Sequence, residues 1–167
     1  NERMDLYKMA MSIIFTIRGI PQIYYGTEIA MTSTGDHGEL RKDFPGGWQN
    51  DWVDAFTGND LTEKEYEAQN FMRKILNWRK RSSAVALGDM VHYPVQDGIY
   101  VYFRRHENEL LMVAINNTNR TQTVYPDHFI ETIKDKTKGI NILNDRVHYL
   151  SRDLNVQSKT ALILELY

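Results

Sequence analysis

The chain has 167 residues, 42% of them hydrophobic, which is enough for one or two cores but too short for a complete eight-stranded α/β barrel of about 250 residues. Its 20 basic and 22 acidic side chains give a net charge of −2, which favours neither a nucleic-acid partner nor an anionic membrane surface. The absence of cysteine excludes disulfides, cysteine nucleophiles and cysteine metal ligands. No apolar run approaches the ~20 residues of a membrane span.

An amphipathic helix is predicted from about Glu2 to Arg18. Gly19 is expected to cap this helix, and Pro21 prevents its continuation. We expect its apolar stripe to pack on the segment that follows. The stripe consists of residues at spacings of three and four: Leu6, Ala10, Ile13, Ile14 and Ile17.

A short buried strand is predicted from Ile20 to Tyr25, because an apolar run with aromatic and β-branched residues lies between two glycines. Helical patterns on both sides of it indicate parallel βαβ construction. Function in such folds lies at the carboxyl ends of strands. Glu28, just beyond the predicted strand, is therefore a candidate site residue.

A polar, glycine-rich segment follows between residues 30 and 58. A loop of this length inside a domain is unusual and tends to be functional. It is the best site candidate in the chain, and it carries four large aromatic residues: Phe44, Trp48, Trp52 and Phe56.

A second helix is predicted to begin at a capping box formed by Thr62 and Glu65 and to run to Lys80. Its apolar residues have helical spacing, and the periodicity stops between residues 82 and 88. The apolar positions are Ala68, Phe71, Met72, Ile75 and Leu76, with Trp78 near the end.

From Asp89 onward the hydrophobic period is two, with a hairpin signal at Asp97-Gly98. Short strands separated by turns predict an antiparallel β-sandwich. We therefore predict a boundary between residues 1–88 and 89–167. The predicted strands lie around Val91 to Val95, around Tyr100 to Phe103, and over Leu110 to Ile115, Thr121 to Tyr125, Ile140 to Leu143, Val147 to Leu150 and Ala161 to Tyr167.

The sequence Gly19-Ile-Pro-Gln-Ile-Tyr-Tyr-Gly-Thr-Glu28 resembles the eighth barrel strand of the α-amylase family of glycoside hydrolases, and most closely its neopullulanase and cyclomaltodextrinase branch. The resemblance continues through Gly35-Asp-His-Gly-Glu-Leu-Arg-Lys-Asp-Phe-Pro-Gly-Gly-Trp48 and the all-β tail. It implies an α+β fragment. Residues 1–88 would be the last βα portion of a TIM (β/α)8 barrel, with helix 7, strand 8, its loop and helix 8, and residues 89–167 would be the β-sandwich C-domain.

Glycoside hydrolysis needs two carboxyl groups on either side of the scissile bond. From the residues alone, Glu28 with Asp36, Glu39 or Asp43 offers such a pair. The resemblance implies instead that the catalytic carboxylates lie upstream, on earlier strands, since no position here matches their motifs. We therefore expect no catalytic residue in this chain, and expect it to be inactive alone as part of a retaining α-glucan hydrolase.

The resemblance also implies sugar contacts for the Asp and Arg of a D-P-x-x-R-x-P-M motif, which correspond here to Asp36 and Arg41. His37 replaces the proline, and the spacing from Asp to Arg is one residue longer. This departure leaves Glu39 as an alternative to Asp36. The expected substrates are maltooligosaccharides, cyclodextrins or pullulan.

Aromatic residues complete the expected substrate site. Phe44 and Trp48 offer flat faces for stacking on glucose rings, or they anchor the loop as buried residues. Tyr25 lines the site or packs in the core. Glu28 is expected to form a structural ion pair with Arg41.

No cofactor or metal site is predicted, because the five histidines lack ligand spacing and the twelve-residue calcium-loop pattern is missing, although calcium remains possible in a parent enzyme. Asp43-Phe-Pro-Gly-Gly-Trp48 resembles enzymes of Gram-negative starch utilisation, which favours a periplasmic location in an otherwise undetermined compartment. Unpaired strand edges and uncovered helix faces predict self-association.

Two other functions remain open at this point. A non-catalytic carbohydrate-binding or structural module would bind sugar through the loop or the tail. An independent small hydrolase would use Glu28 and Asp43.

Overall fold

The computed structural model describes residues 2–167, which contain four α-helices and eight strands. Single 3-10 turns lie at Thr27–Ile29, Glu39–Arg41 and Pro126–Phe129. No helix in these residues is long and apolar enough to cross a membrane. In chain order the elements are α1 Glu2–Thr16, α2 Glu63–Arg79, α3 Ser83–Leu87, β1 Asp89–His92, β2 Ile99–His106, β3 Glu109–Asn116, β4 Gln122–Val124, α4 Ile130–Ile133, β5 Lys138–Asn141, β6 Val147–Tyr149, β7 Leu154–Val156 and β8 Thr160–Leu166.

The chain divides into two units by its internal contacts. The first unit contains the residues up to Pro21 together with Lys74–Tyr167, and the second is Gln22–Arg73. Helix α2 has residues in both units. The boundary at residue 88 that the sequence predicts remains a prediction.

The predicted antiparallel β-sandwich is confirmed in the first unit. A six-stranded sheet has the order β1-β2-β3-β8-β5-β6, and β4 pairs with β7 in a second sheet. Every pairing is antiparallel. Alternate residues of the central strands enclose the core with the second sheet, as period-two patterning requires. The core includes Ile99, Val101, Phe103, Met112, Val124, Leu154, Val156 and the predicted set Leu162, Leu164 and Leu166.

The opposite face of the central strands is covered as well. Helix α1 contacts β8, and α3 contacts β2 and β3. Tyr102 is fully buried and its hydroxyl lies 2.5 Å from Thr16 Oγ1, while Trp78 Nε1 donates to Glu165 Oε1 at 2.5 Å. Burial of both faces explains why Leu110 to Ile115 is a continuous apolar run rather than an alternating one.

The buried face of α1 differs from the predicted stripe. Leu6 and Ala10 of that stripe are exposed. Polar residues take part in the buried face because their hydroxyls bond within the helix: Ser12 Oγ donates to Lys8 O, and Thr16 Oγ1 to Ser12 O. An apolar pattern alone therefore identified the wrong face. The buried residues are Met4, Met9, Ser12, Phe15 and Thr16.

The predicted strand from Ile20 to Tyr25 is wrong for this structure. These residues form neither a helix nor a strand, and the Ile20 side chain is 98% exposed. A strand is stabilised by hydrogen bonds to a neighbour. No other strand pairs with this segment within residues 2–167.

Helix α2 and the hairpin signal are confirmed. Thr62 N donates to Glu65 Oε2 at 2.9 Å, and Glu65 N donates to Thr62 Oγ1 at 3.4 Å, which is the reciprocal pattern of a capping box. Asp97 and Gly98 have φ angles of 51° and 78°, as a tight hairpin turn requires. The sequence did not predict α3, β7 or α4, because all three are very short. Helix α3 lies within residues 82–88, where the helical periodicity was expected to stop.

Candidate functional site

The candidate site lies in the second unit, in the segment that follows Tyr25. A cavity of about 420 Å³ there is lined by Tyr25, His37, Glu39, Arg41 and Lys42, among others. The structure thus brings together two of the five predicted substrate residues, Tyr25 and Arg41. It combines aromatic, cationic and carboxylate groups around one space, which is the composition of a site that orients a polar ligand.

Tyr25 is fixed within this cavity by a hydrogen bond and a ring contact. Its hydroxyl donates to Lys42 O at 2.9 Å, and its ring centroid lies 4.6 Å from that of Tyr24. Desolvation, followed by the effect of Tyr24, raises the pKa of the Tyr25 phenol. Tyr25 is therefore a neutral side chain at physiological pH, and its ring is only partly covered.

Asp36 does not line this cavity, whereas Glu39 does. One Asp36 oxygen accepts hydrogen bonds from Gly38 N at 3.0 Å and Glu39 N at 3.4 Å. This local turn uses the carboxylate to stabilise the backbone. The 3-10 turn Glu39–Arg41 follows Asp36, and both of its end residues line the cavity.

A second cavity, of about 280 Å³, contains Phe44 and Trp48 together with Asp51 and Trp52. Phe44 is half-buried and meets the ring of Phe56 edge-on at 5.2 Å, as an anchor would. Trp48 is 65% exposed and Trp52 is 91% exposed. The structure therefore gives Phe44 the packing environment of an anchor and leaves the faces of the tryptophans open.

Hydrogen bonds hold Trp48 in a defined position. Its indole Nε1 donates to Asp43 Oδ2 at 3.1 Å. Its backbone N donates to Asp51 Oδ2 at 3.1 Å, and the same oxygen accepts from Gly46 N at 2.9 Å. Gly46 has a φ of 92°, which favours glycine at this turn. The Asp43 carboxylate is thus engaged in positioning an aromatic ring.

The predicted ion pair between Glu28 and Arg41 is not formed among residues 2–167. Glu28 is half-buried, and its Oε2 is buried without a hydrogen-bond partner in the described structure. Arg41 is exposed. A buried carboxylate oxygen without a hydrogen-bond donor is energetically unfavourable.

No group of three or more His, Asp or Glu side chains within residues 2–167 has the arrangement of a metal site. The carboxylates that the sequence offers as a catalytic pair are separated in their roles. Asp36 and Asp43 bond to local turn and indole groups, and Glu28 lines neither of the two cavities.

The sequence analysis names Trp52 as an aromatic residue of the loop but includes neither Trp52 nor Lys42 among the expected substrate residues, although both line cavities with predicted residues. The signal for Trp52 was present, since a tryptophan in a polar, glycine-rich loop has few apolar neighbours in sequence to bury it. Lys42 lies beside Tyr25 because its backbone carbonyl accepts a hydrogen bond from the Tyr25 hydroxyl.

Residues 90–165 match the family described as "Cyclo-malto-dextrinase C-terminal domain". The chain is 29% identical over 111 residues to a cyclomaltodextrin glucanotransferase of Geobacillus stearothermophilus, an alignment that covers 66% of this chain and 13% of that protein. It is 30% identical over 109 residues to an α-amylase of Niallia circulans, covering 65% of this chain and 18% of the relative. The chain therefore spans less than a fifth of these curated relatives.

Solved structures extend the similarity. The crystal structure of an α-amylase from Geobacillus thermoleovorans in complex with acarbose matches all of this chain and 34% of its own, with 28% identity and a TM-score of 0.70. An Anoxybacillus α-amylase matches 96% of this chain and 32% of its own, with 26% identity and a TM-score of 0.70.

Proposed function

We propose that this chain, whose residues 90–165 match the cyclomaltodextrinase C-terminal domain family, is the C-terminal portion of a retaining α-glucan hydrolase of the α-amylase family and lacks the catalytic carboxylates itself. The parent enzyme would cleave α-glucosidic bonds in maltooligosaccharides, cyclodextrins or pullulan and would belong to the neopullulanase and cyclomaltodextrinase branch. In this proposal residues 1–88 complete a (β/α)8 barrel, and residues 89–167 are its C-domain.

One observation carries the proposal: the structure of an α-amylase matches this chain over its whole length. The family match to the C-terminal domain begins only at residue 90. The segment from α1 to α2 is therefore similar to an α-amylase as well, although no barrel forms within residues 2–167. Ile20 is 98% exposed, and one oxygen of Glu28 is buried without a partner among the described residues; the missing part of a barrel would cover the first and could supply a donor to the second.

Substrate contact would come from the two cavities of the second unit. Arg41 would donate hydrogen bonds to sugar hydroxyls in the larger cavity, the Tyr25 oxygen would accept one, and Glu39 would take the role first considered for Asp36. Trp48 would offer its exposed face to a glucose ring in the other. The expected ligand is an uncharged α-glucan oligosaccharide.

The test is calorimetric titration of maltoheptaose into the 167-residue chain and its Arg41→Ala variant. Loss of hydrogen bonds from a charged donor is expected to weaken binding about tenfold. Arg120→Ala is the matched control, because Arg120 is an exposed arginine of the other unit. Equal affinities of all three proteins would contradict the role of Arg41.

A non-catalytic carbohydrate-binding module is the second candidate function. The exposure of Trp48 and Trp52 favours it, because open aromatic faces bind sugar rings without any upstream residue. Two results together would favour this candidate over the first. The loop would bind maltoheptaose, and the parent gene would encode no catalytic barrel upstream of this chain.

A further inference from the structure

The first unit contains a positively charged cavity of about 620 Å³ that the proposed function does not use. It is lined by residues 18–20, which follow α1, by residues 86–90, which join α3 to β1, and by two neighbouring positions of β2. Three of the lining residues are arginines, Arg18, Arg104 and Arg105, whereas Asp89 is the one acidic residue among those that the structure describes. The cavity therefore has an excess of positive charge.

Arg104 is a buried cation that forms no ion pair with a carboxylate of residues 2–167. The hydrogen bonds of its guanidinium go to three backbone carbonyls, those of Thr16, Val85 and Gly88. Its Nε is also buried and has no hydrogen-bond partner in the described structure. Carbonyl groups satisfy donors without neutralising a charge, and a buried charge without a counter-ion is costly. An anion close to Arg104 would therefore be stabilised.

The other charges around Arg104 increase this preference for an anion. Burial, and then the charges of Arg79 and Arg18, lower the pKa of the Arg104 side chain, although Asp89 acts in the opposite direction. Cations that lie close to one another repel, and an anion bound among them replaces part of that repulsion by attraction. The electrostatics of the cavity thus agree with the excess of arginines in its lining.

Two of the arginines are free to bind a ligand. Arg18 and Arg105 are exposed, and their side chains form no hydrogen bond or ion pair within the described residues. A guanidinium presents its N–H donors in a planar fork that matches the oxygens of a carboxylate or a phosphate group. An uncharged sugar would leave the positive charge unbalanced. Charge and donor geometry therefore select an oxyanion as the ligand.

We propose that this cavity is an oxyanion site, in which Arg18 and Arg105 bind a phosphate or carboxylate group beside the buried charge of Arg104. The site involves neither sugar binding nor hydrolysis and so goes beyond the proposed function. Two sources would supply the anion: a free anion in solution, or a carboxylate side chain from a part of the parent protein outside this chain. The second source rests on the proposed function, whereas the site itself does not.

The test is titration of inorganic phosphate into the nitrogen-15-labelled 167-residue chain at low ionic strength, followed by NMR through the Nε–Hε signals of the arginines. Phosphate is expected to shift the signals of Arg18 and Arg105 to saturation. Arg18→Gln and Arg105→Gln are each expected to weaken phosphate binding about fivefold. Both side chains are exposed, so neither substitution disturbs the core. Arg104 is left unchanged because its hydrogen bonds stabilise the fold.

Arg152→Gln is the matched control, because Arg152 is an exposed arginine of the same unit that does not line the cavity. Phosphate affinity that falls in Arg18→Gln and Arg105→Gln but not in Arg152→Gln would support the site. Equal affinities in the wild type and all three variants, or signals of Arg18 and Arg105 that phosphate does not shift, would overturn it.

The same titration of the longer parent protein separates the two sources of the anion. Retained phosphate binding there would support a free anion as the ligand. Loss of phosphate binding, with the Arg18 signal already at the position it has in the phosphate-bound chain, would support a carboxylate of the parent. Failure of the proposed function would appear separately, because maltoheptaose binding in the second unit does not involve these arginines.

Discussion

Arg104 places a guanidinium inside the face of the sheet that packs against helices. It is 2% exposed and donates to Thr16 O at 3.1 Å, Val85 O at 3.1 Å and Gly88 O at 2.8 Å. Burial, and then the nearby Arg79, lowers the pKa of the Arg104 side chain. One side chain thereby satisfies carbonyls at the ends of α1 and α3 that would otherwise lack donors.

We predict that Arg104→Met lowers the free energy of unfolding by about 3 kcal/mol, because two buried carbonyls and one half-buried carbonyl lose a charged donor. Arg105→Met removes the same charge from the adjacent, exposed position and is expected to change stability by no more than about 0.5 kcal/mol. Urea denaturation of both variants measures the difference. Equal effects would mean that charge, and not the buried hydrogen bonds, decides the outcome.

Glu109 gives the fold a dependence on pH. Burial alone would raise the pKa of its carboxyl, but hydrogen bonds from the Ser82 and Ser83 hydroxyls and from Ala84 N hold this pKa below the ordinary value of 4.5. A lowered pKa in the folded state stabilises the fold fully above the unfolded value. That contribution is lost as the pH falls below 4.5 and through the folded pKa.

Glu109→Gln is therefore expected to reduce the loss of unfolding free energy between pH 7 and pH 3. The control is Glu107→Gln, an exposed glutamate in the same hairpin that should leave the pH dependence unchanged. Denaturant unfolding at the two pH values measures the effect. A pH dependence identical in wild type and Glu109→Gln would contradict this role of Glu109.

At the scale of elements, hydrophobic period and turn chemistry predicted most of the sandwich. The strand around Leu110 is a continuous apolar run, and the strand around Leu164 has leucines at every second position. The dipeptide Asp97-Gly98 is enough by itself to predict the hairpin turn. The buried face of α1 was not predicted, because Ser12 and Thr16 are buried through hydrogen bonds that no hydrophobicity pattern contains.

For the site residues, too, some positions were predicted from the sequence and others depend on hydrogen bonds that the sequence pattern does not contain. Tyr25 and Arg41 were predicted as substrate residues, and both line the same cavity, because the polar segment between them folds back on itself. Asp36 was assigned to sugar contact because its spacing from Arg41 resembles that of a family motif. In the structure its carboxylate instead accepts hydrogen bonds from the backbone of Gly38 and Glu39. The use of a carboxylate by its own backbone depends on local dihedral angles, which spacing does not specify.

The start of α2 provides a prediction at this scale. Thr62→Ala removes the hydroxyl that accepts from Glu65 N and is expected to cost about 1 kcal/mol and to speed amide exchange in the first turn of α2. Glu65→Gln keeps a side chain able to complete the capping box and should cost less. Exchange rates in residues 63–67 measure both. An unchanged rate in Thr62→Ala would contradict the cap.

At the scale of the whole molecule, the proposed fragment carries uncovered apolar residues. Ile20 is 98% exposed and Leu6 is 36% exposed, on segments that a barrel would cover in the proposed parent. We predict that the isolated chain self-associates through these surfaces.

Sedimentation velocity over a range of concentrations measures this association. Ile20→Gln is expected to shift the distribution toward monomer. Ile130→Gln, at a 60% exposed isoleucine of helix α4, is expected to leave the distribution unchanged. A wild-type chain that remains a monodisperse monomer, with amides at residues 20–25 protected from exchange, would contradict the prediction.

The central claim is that this chain is a non-catalytic part of an α-glucan hydrolase. The most direct test is reducing-sugar release from cyclodextrin, pullulan and maltoheptaose by the purified 167-residue chain, with its intact mass recorded. The account predicts no release from any of the three, because the catalytic carboxylates would lie upstream. Release that disappears in Glu28→Gln or Asp43→Asn would show that the chain has its own catalytic pair and would contradict the account.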